Sequence, residues 1–205
     1  MKLFLCFCCS FFYMITYAQT ETLVYDLKVS GKIIGTVTAK KSVQGNFVTY
    51  LSDTDAKISF LGSTQIKTIM KVVFENGKLY ESDYKFYKNN KIKEESSITS
   101  KNGKYIIIHD GKTSLVYEPI YASSIILPFY KPKDNEKIFE EVEGYFKSIK
   151  LVNNKSFQLL DPKSSHKDKY IYENGKMEYC LVNNTLVDFE MVLQTKYYSQ
   201  NINKI

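Results

Sequence analysis

Two acidic residues on one predicted strand form the first set of side chains that could do chemistry. Asp53 and Asp55 lie two residues apart, so a β-strand places both carboxylates on the same face. Such a pair could bind a cation or hydrolyse a glycoside. The alternative, favoured by the polar neighbours Ser52 and Thr54, is a solvated outer face or a loop. We therefore expect no active site at this pair.

The chain offers few soft metal ligands and few nucleophiles. His109 stands beside Asp110 at a predicted hairpin tip, His166 lies in a lysine-rich loop, and Cys180 lies in a predicted strand. Their spacing matches no zinc site, and the sequence lacks the hydrolase motif Gly-x-Ser-x-Gly. The histidines are expected to be solvated turn residues. Cys180 is expected to be a small core residue, the alternative being a thiol activated by a histidine.

A second acidic run, Glu140, Glu141 and Glu143, matches no catalytic motif. The Gly-Lys pairs of the chain open strands and not helices, so they do not form a phosphate-binding loop. We therefore assign no catalytic, cofactor-binding or metal-binding residue. The sequence favours a non-enzymatic protein without a cofactor.

The charged residues argue against a nucleic-acid-binding protein. All 28 basic residues are lysine, arginine is absent, and the formal net charge is +6. Lysine lacks the planar fork with which arginine reads guanine edges. No block of five or six like charges appears, so the lysines indicate a solvated surface.

Residues 1–18 have the pattern of an export signal. Lys2 precedes an apolar run over residues 3–15, and Thr16 and Ala18 place small residues before a cleavage site at Gln19. A retained anchor and a lipoprotein acylated at one of the signal cysteines are less favoured alternatives. The pattern predicts an exported protein, periplasmic or extracellular, that is not integral to a membrane after cleavage. Residues 19–205 would then be one β-domain with Cys180 as its single cysteine and no disulfide.

The elements that position these residues are marked by turns. Five of the nine glycines precede a lysine and follow Ser, Asn or Asp. Such pairs reach positive φ at low cost, as two-residue hairpins require. The pairs are Ser30-Gly31, Asn76-Gly77, Asn102-Gly103, Asp110-Gly111 and Asn174-Gly175. Short connections of this kind predict an antiparallel meander.

Period-two alternation between the turns predicts about 12–13 strands. Ile33 and Gly35 are expected on one face with Val37, and Tyr80 on one face with Tyr84. Residues 92–100 form the most polar strand, which we expect at a sheet edge or on a strongly exposed face. The predicted strands cover residues 22–29, 33–41, 47–60, 66–74, 79–87, 92–100, 105–109, 113–118, 145–152, 156–160, 170–173, 177–182 and 186–197.

A short helical insertion is expected around residues 121–143, where prolines interrupt the strand pattern. Asp134 could cap a helix over residues 136–142, and residues 121–130 could contain a helical turn. Such a helix is too small to cover the aromatic face that thirteen phenylalanines and seventeen tyrosines give the sheet. The fold class is therefore mainly β, a single antiparallel meander that curves into a half-barrel or barrel, the alternative being a sheet folded over as a sandwich. Its interior is either filled by its own side chains or leaves an apolar groove.

Three segments carry a resemblance to a known group of proteins. They are Tyr25-Asp26-Leu27 with Gly31 to Gly35, Ser123 to Leu127 with Pro132, and Tyr170 to Lys176. The pattern resembles a family of exported Bacteroidetes proteins of unknown function. More distantly it is similar to periplasmic proteins of unknown function built on a strongly curved antiparallel sheet. The resemblance implies an exported envelope protein and assigns no catalytic residue.

Three functions follow in order of preference. The first is an envelope protein that binds a lipid or a hydrophobic peptide on a curved sheet. The second is a structural or interaction module that binds an envelope partner through an edge strand at residues 92–100, where Ser96 and Ile98 lie. The third and least favoured is a hydrolase acting on a glycan or ester through Asp53 and Asp55, or through His109.

Overall fold

Alternating apolar and polar side chains between short turns build one antiparallel sheet. The computed structural model describes residues 19–59, 63–183 and 187–194. The fourteen strands are β1 (Gln19–Val29), β2 (Lys32–Gln44), β3 (Phe47–Ser59), β4 (Ser63–Glu75), β5 (Lys78–Lys88), β6 (Lys91–Lys101), β7 (Lys104–His109), β8 (Lys112–Val116), β9 (Lys137–Glu140), β10 (Tyr145–Asn153), β11 (Ser156–Leu160), β12 (Lys167–Glu173), β13 (Lys176–Val182) and β14 (Phe189–Leu193). The predicted mainly β meander is confirmed.

Turn residues with positive φ connect most of the strands. Ser30 and Gly31 have φ of 49° and 75°, and the other four predicted Gly-Lys turns repeat this pair of angles closely. Positive φ at both central residues defines the type I′ turn, whose twist matches that of paired strands. The turn prediction made from the Gly-Lys pairs is therefore confirmed at all five positions.

The two halves of the meander join through the first and last strands. Across the sheet the order is β8-β7-β6-β5-β4-β3-β2-β1-β14-β13-β12-β11-β10-β9. The edges are β8 and β9, so residues 92–100 do not form an edge. They lie in β6, which pairs with β5 and β7 and buries Ser96 and Ile98. Ser96, one of the small hydroxyl residues that made this strand look polar, in fact faces the interior.

The sheet curves until its two ends approach one another. The hydroxyl of Ser96 on β6 donates a hydrogen bond to the carbonyl of Glu141, after β9, at 3.3 Å. A Cβ added at Gly144, in the same turn, would lie 3.0 Å from Ile107 on β7. No ladder between β8 and β9 joins the edges within the described ranges. The result is a barrel-like sheet that is not closed by hydrogen bonds between strands.

Antiparallel pairing gives this curved sheet two distinct ends. The turns at residues 30–31, 89–90, 110–111 and 141–144 lie at one end, which we call the Gly31 end. The turns at residues 45–46, 76–77, 102–103 and 174–175 lie at the opposite Gly77 end. Residues 117–136, which link β8 to β9, begin at the Gly77 end and are called the connector below.

The connector runs through the interior and not over the surface. Ile120, Ala122, Ile125, Ile126 and Leu127 are buried in the same core as the sheet. The connector enters at the Gly77 end, because the Ile120 carbonyl accepts a hydrogen bond from the Leu79 amide at 2.9 Å. A 3₁₀-helix, Ser124–Ile126, lies at its centre, in agreement with the helical turn predicted within residues 121–130.

The helix predicted over residues 136–142 is wrong, because this segment pairs with β10 as strand β9. Asp134 accepts a hydrogen bond from the Leu151 amide at 2.7 Å instead of capping a helix. The ring of Phe139 packs edge-on against Phe146 with centroids 5.1 Å apart. Cross-strand packing of this kind overrides a weak local helix preference. The strand β9 also raises the count to fourteen from the expected 12–13.

Two β-bulges change the faces predicted for individual residues. Lys28 pairs with Ile33 although Leu27 pairs with Gly35, so Ile33 faces solvent and Ile34 packs against the core. A second shift between β4 and β5 turns Tyr80 outward and buries Leu79. One extra residue in a strand reverses the alternation on one side of it, which a period-two count cannot foresee.

Gly35 sits where β2 and β3 approach most closely. A Cβ at this position would lie 2.1 Å from the Asp55 carbonyl oxygen and 2.5 Å from the Ala56 Cα. Both neighbours are backbone atoms of a paired strand, so neither can move without disturbing the ladder. The close approach at Gly35 therefore adjoins the bulge in the pairing of β1 with β2.

We expect Gly35→Ala to lower the free energy of unfolding by about 1–3 kcal/mol, the usual cost of overpacking. Urea denaturation followed by circular dichroism measures this change. Thr36→Ala is the matched control, because Thr36 is the next residue of β2 and is exposed. Its effect should stay within roughly 0.5 kcal/mol. Equal stability of Gly35→Ala and the wild type would contradict the close packing of β2 on β3.

Candidate functional site

The curved sheet forms an apolar cavity of about 640 Å³ that is open to solvent on one side. Its wall is formed on one side by inward residues of β1 to β6 and on the other by residues of β12 to β14. The connector supplies the remaining wall through Ser124, Ile125, Leu127 and Pro128. The apolar wall residues are Leu27, Ile34, Val37, Ala39, Ala56, Ile66, Met70, Phe86, Met177, Val182, Phe189 and Met191. The sequence allowed either a filled core or an apolar groove, and the structure has an apolar groove.

Burial along the wall indicates where the cavity opens. The connector fills the interior at the Gly77 end. Around Leu127 and Met177 the wall residues are buried. Phe86, Val182 and Phe189, toward the Gly31 end, are only partly buried. The cavity therefore has its floor at the connector and its mouth at the Gly31 end.

Tyrosine hydroxyls fix the floor. Tyr172 donates a hydrogen bond to the Leu127 carbonyl at 3.0 Å, and the Met177 amide donates to the Pro128 carbonyl at 3.2 Å. Tyr25 in turn donates to the Met177 carbonyl at 3.0 Å. Burial raises the pKa of both tyrosines, so they remain neutral donors at any ordinary pH. These bonds satisfy connector and strand carbonyls that would otherwise be buried without a partner.

Beside the 3₁₀-helix of the connector, in the turn after β9, lies the fully buried carboxyl group of Glu141. Its Oε1 accepts a hydrogen bond from the Ile125 amide at 3.1 Å, and its Oε2 accepts one from the Ser124 hydroxyl. Removal from water raises the pKa of this carboxyl group, although the hydrogen bonds from Ser124 and the Ile125 amide act in the opposite direction. The neighbouring charge of Glu140 adds to the increase. Glu141 thus ties the turn after β9 to the 3₁₀-helix.

Exchange of Glu141 for glutamine should change the pH dependence of stability. An acid with a raised pKa in the folded state binds more protons there than in the unfolded chain, so wild-type stability falls as pH rises above the ordinary value of 4.5. Glu141→Gln removes this loss and keeps an acceptor for the Ile125 amide. Its unfolding free energy relative to wild type should rise by about 1.4 kcal/mol per pH unit between the two pKa values.

Urea denaturation at a series of pH values measures this difference directly. Glu143→Gln is the control, because Glu143 lies in the same turn, is exposed and pairs with Lys163 at 2.8 Å. The Glu143→Gln curve should run parallel to that of the wild type. A parallel curve for Glu141→Gln as well would contradict a destabilising charge at this position.

At the mouth the carboxylate of Glu94 lies against His109, the one histidine in the segment from β6 to β8. Nε2 of His109 lies 3.0 Å from Oε1 of Glu94 and 3.8 Å from a carboxylate oxygen of Asp110. The ligand atoms of these three residues all lie within 4.8 Å of one another, so they could together hold a cation. Asp110 is also engaged in the turn, since its Oδ1 accepts a hydrogen bond from the Glu95 amide at 3.0 Å.

The residues singled out in the sequence do not converge on a catalytic centre. Asp53 and Asp55 are exposed on the outer face of β3, in keeping with the polar face expected for them. His166 is half-buried in the turn before β12. Cys180 is buried on the cavity wall, and burial raises the pKa of its thiol. Where the chain is described, no hydrogen bond joins a histidine ring to a hydroxyl or thiol group.

Sequence reasoning missed two polar residues of the cavity wall, Glu94 and Ser124, and also Glu141, which accepts a hydrogen bond from Ser124. Glu94 shares the inner face of β6 with Ser96 and Ile98, but the polar composition of that strand pointed to an edge. Glu141 fell within an acidic run to which no role was assigned from the sequence. The sequence did contain a signal for Glu94. Period-two alternation along β6 places it on the same face as Ser96 and Ile98, whose side chains are small or apolar.

Comparisons with known proteins support the fold and leave the activity open. A sequence model for the domain of unknown function DUF6134 matches residues 25–194. No curated protein matches the chain. A solved β-barrel-like protein of the domain of unknown function DUF1849, from Brucella abortus, is similar with a TM-score of 0.51. At 8% identity the similarity covers 84% of this chain and 94% of that one, and it shows a shared fold.

Proposed function

The chain belongs to the DUF6134 family, whose function is unknown, and we propose that it is an exported envelope protein that binds the apolar chain of a lipid. The observation that carries the proposal is the apolar cavity between β1 to β6, β12 to β14 and the connector. The signal pattern of residues 1–18, which lie outside the described ranges, supports export to the periplasm or the extracellular space. The Bacteroidetes resemblance agrees with such a location.

The size and the lining of the cavity suit an alkyl chain. Small-molecule sites usually measure about 300–1,000 Å³ and are mostly apolar, and this cavity of about 640 Å³ lies within that range. Apolar cavities remain dry and take up apolar molecules, because water finds too few polar partners there. The inward methyl, methylene and aromatic groups of the wall offer contact along the whole depth from mouth to floor.

A lipid chain suits the wall better than a hydrophobic peptide does. Each strand that lines the cavity is paired on both sides, so the wall presents no free strand edge. A peptide would bury its amide groups there without partners, at a cost of about 1–3 kcal/mol for each group. An alkyl chain has no such groups. The same pairing removes the edge that the interaction-module alternative placed at residues 92–100.

The polar groups of the cavity suit a protein that binds a ligand without converting it chemically. The Ser124 hydroxyl is bonded to a carboxyl group, and no histidine among the described residues reaches it. Its position is therefore that of a structural hydroxyl and not of an activated nucleophile.

Among the described residues, no helix is both long and apolar enough to span a membrane.

Narrowing the cavity should weaken binding of the alkyl chain. The wild type should bind dodecanol, and the neutral probe phenylnaphthylamine, with saturation. Thr68 lines the cavity on β4, and Thr68→Phe places a ring in the path of the chain. Excluding even two methylenes costs roughly 1.6 kcal/mol, so the affinity for dodecanol should fall more than about tenfold. Fluorescence displacement of phenylnaphthylamine measures it.

The control for this experiment is Thr36→Phe, which adds the same ring to an exposed position of β2. Circular dichroism should show that both variants retain the β-sheet spectrum. The control should bind dodecanol as the wild type does. Absence of saturable binding by the wild type, or an equal loss in both variants, would overturn the proposed function.

A further inference from the structure

One charged side chain lies on the otherwise uncharged wall. Of the described residues that line the cavity, Glu94 is the only carboxylate, and no lysine is among them. It lies near the start of β6, close to the turn at residues 89–90, and therefore at the mouth. Its side chain is 34% exposed, so it faces both the apolar interior and water.

A contact on the neighbouring strand holds Glu94 in this position. Its Oε1 lies 3.0 Å from Nε2 of His109 on β7. Tyr84 on β5 lines the cavity with Glu94, and burial and the Glu94 charge both raise the pKa of the Tyr84 hydroxyl. A carboxylate has about four acceptor positions, so the His109 contact leaves acceptor positions for a ligand.

We propose that the cavity takes a single-chain amphiphile whose head group is a protonated amine. The ammonium group lies at Glu94, and the alkyl chain extends to the connector. This inference rests on the proposed function, because it assigns the head group of the same ligand. It adds a specificity-determining residue, Glu94, to a site that otherwise recognises only an apolar chain.

The charges around the mouth favour a cation over a carboxylate head. The groups that face Glu94 are His109 from β7, Asp110 from the following turn and Tyr84 from β5. Glu140, at the end of β9, adds its negative charge to the field at Tyr84. His109 is the single group of these that can become positive. A carboxylate head would meet three acidic residues in a partly desolvated place, whereas an ammonium group would form a charge-assisted hydrogen bond.

Three ligands with the same chain and different head groups test the proposal. Dodecylamine, dodecanol and dodecanoate are titrated at neutral pH, below their critical micelle concentrations, by displacement of phenylnaphthylamine. The wild type should bind dodecylamine about tenfold more tightly than dodecanol, and dodecanoate most weakly. Glu94→Gln should bring dodecylamine to the affinity of dodecanol. Glu94→Lys should make dodecanoate the preferred ligand.

Glu95→Gln is the matched control, because Glu95 is adjacent, exposed and outside the cavity wall. It removes the same charge from the protein and should leave the head-group preference unchanged. Circular dichroism verifies that each variant is folded. Equal losses of dodecylamine affinity in Glu94→Gln and Glu95→Gln would overturn the inference, because they would reflect only the total charge.

The outcomes separate this inference from the proposed function. Equal affinity of the wild type for all three ligands, or tighter binding of dodecanoate, overturns the amine specificity and leaves chain binding standing. Failure of all three ligands and of phenylnaphthylamine to bind overturns both proposals. Preference for dodecylamine that disappears in Glu94→Gln and reverses in Glu94→Lys supports the assignment of Glu94.

Discussion

The constraint on which the structure depends is that a single sheet of fourteen strands must cover its own apolar face. No large helix lies over that face in the described part of the chain. Removing the face from water therefore requires curvature, and the pairing of β1 with β14 makes the curvature continuous across both halves of the chain. Bulges in β1–β2 and β4–β5 add local twist at intermediate positions. Curvature, cavity and connector all follow from this one requirement.

Placing the connector inside creates a second requirement, because an irregular segment in a core exposes backbone groups without partners. The tyrosines meet it: Tyr172 and Tyr25 bond to carbonyls at the floor, and the hydroxyl of Tyr105 accepts a hydrogen bond from the Ile120 amide at 3.3 Å. Each buries a ring and presents a hydroxyl at its tip. The high tyrosine content, read in the sequence as apolar area alone, is therefore also a supply of polar partners for the connector.

Turns and alternation made most of the sheet predictable, since they are local properties. The pairs such as Asn76-Gly77 fixed the hairpins, and the inward residues Leu23, Tyr25 and Leu27 follow from period two. Features that depend on the three-dimensional course of the sheet were not predictable. β9 is stabilised by pairing with β10 against a local helix preference. The Asn102-Gly103 turn sets the register that brings Glu94 near His109, but only the curvature of the sheet places Glu94 on a cavity wall.

Two carboxyl groups near the Gly31 end then differ in their surroundings. Glu141 lies in the turn after β9, where burial opposes its charge and the Ser124 and Ile125 groups occupy its oxygens. Glu94 lies at the mouth, where water and His109 solvate its charge. A ligand that enters therefore meets a charge only at the mouth and loses nothing electrostatically by placing an uncharged chain at the floor. Because desolvation penalises a head group at the floor, the geometry orients an amphiphile with its head at Glu94.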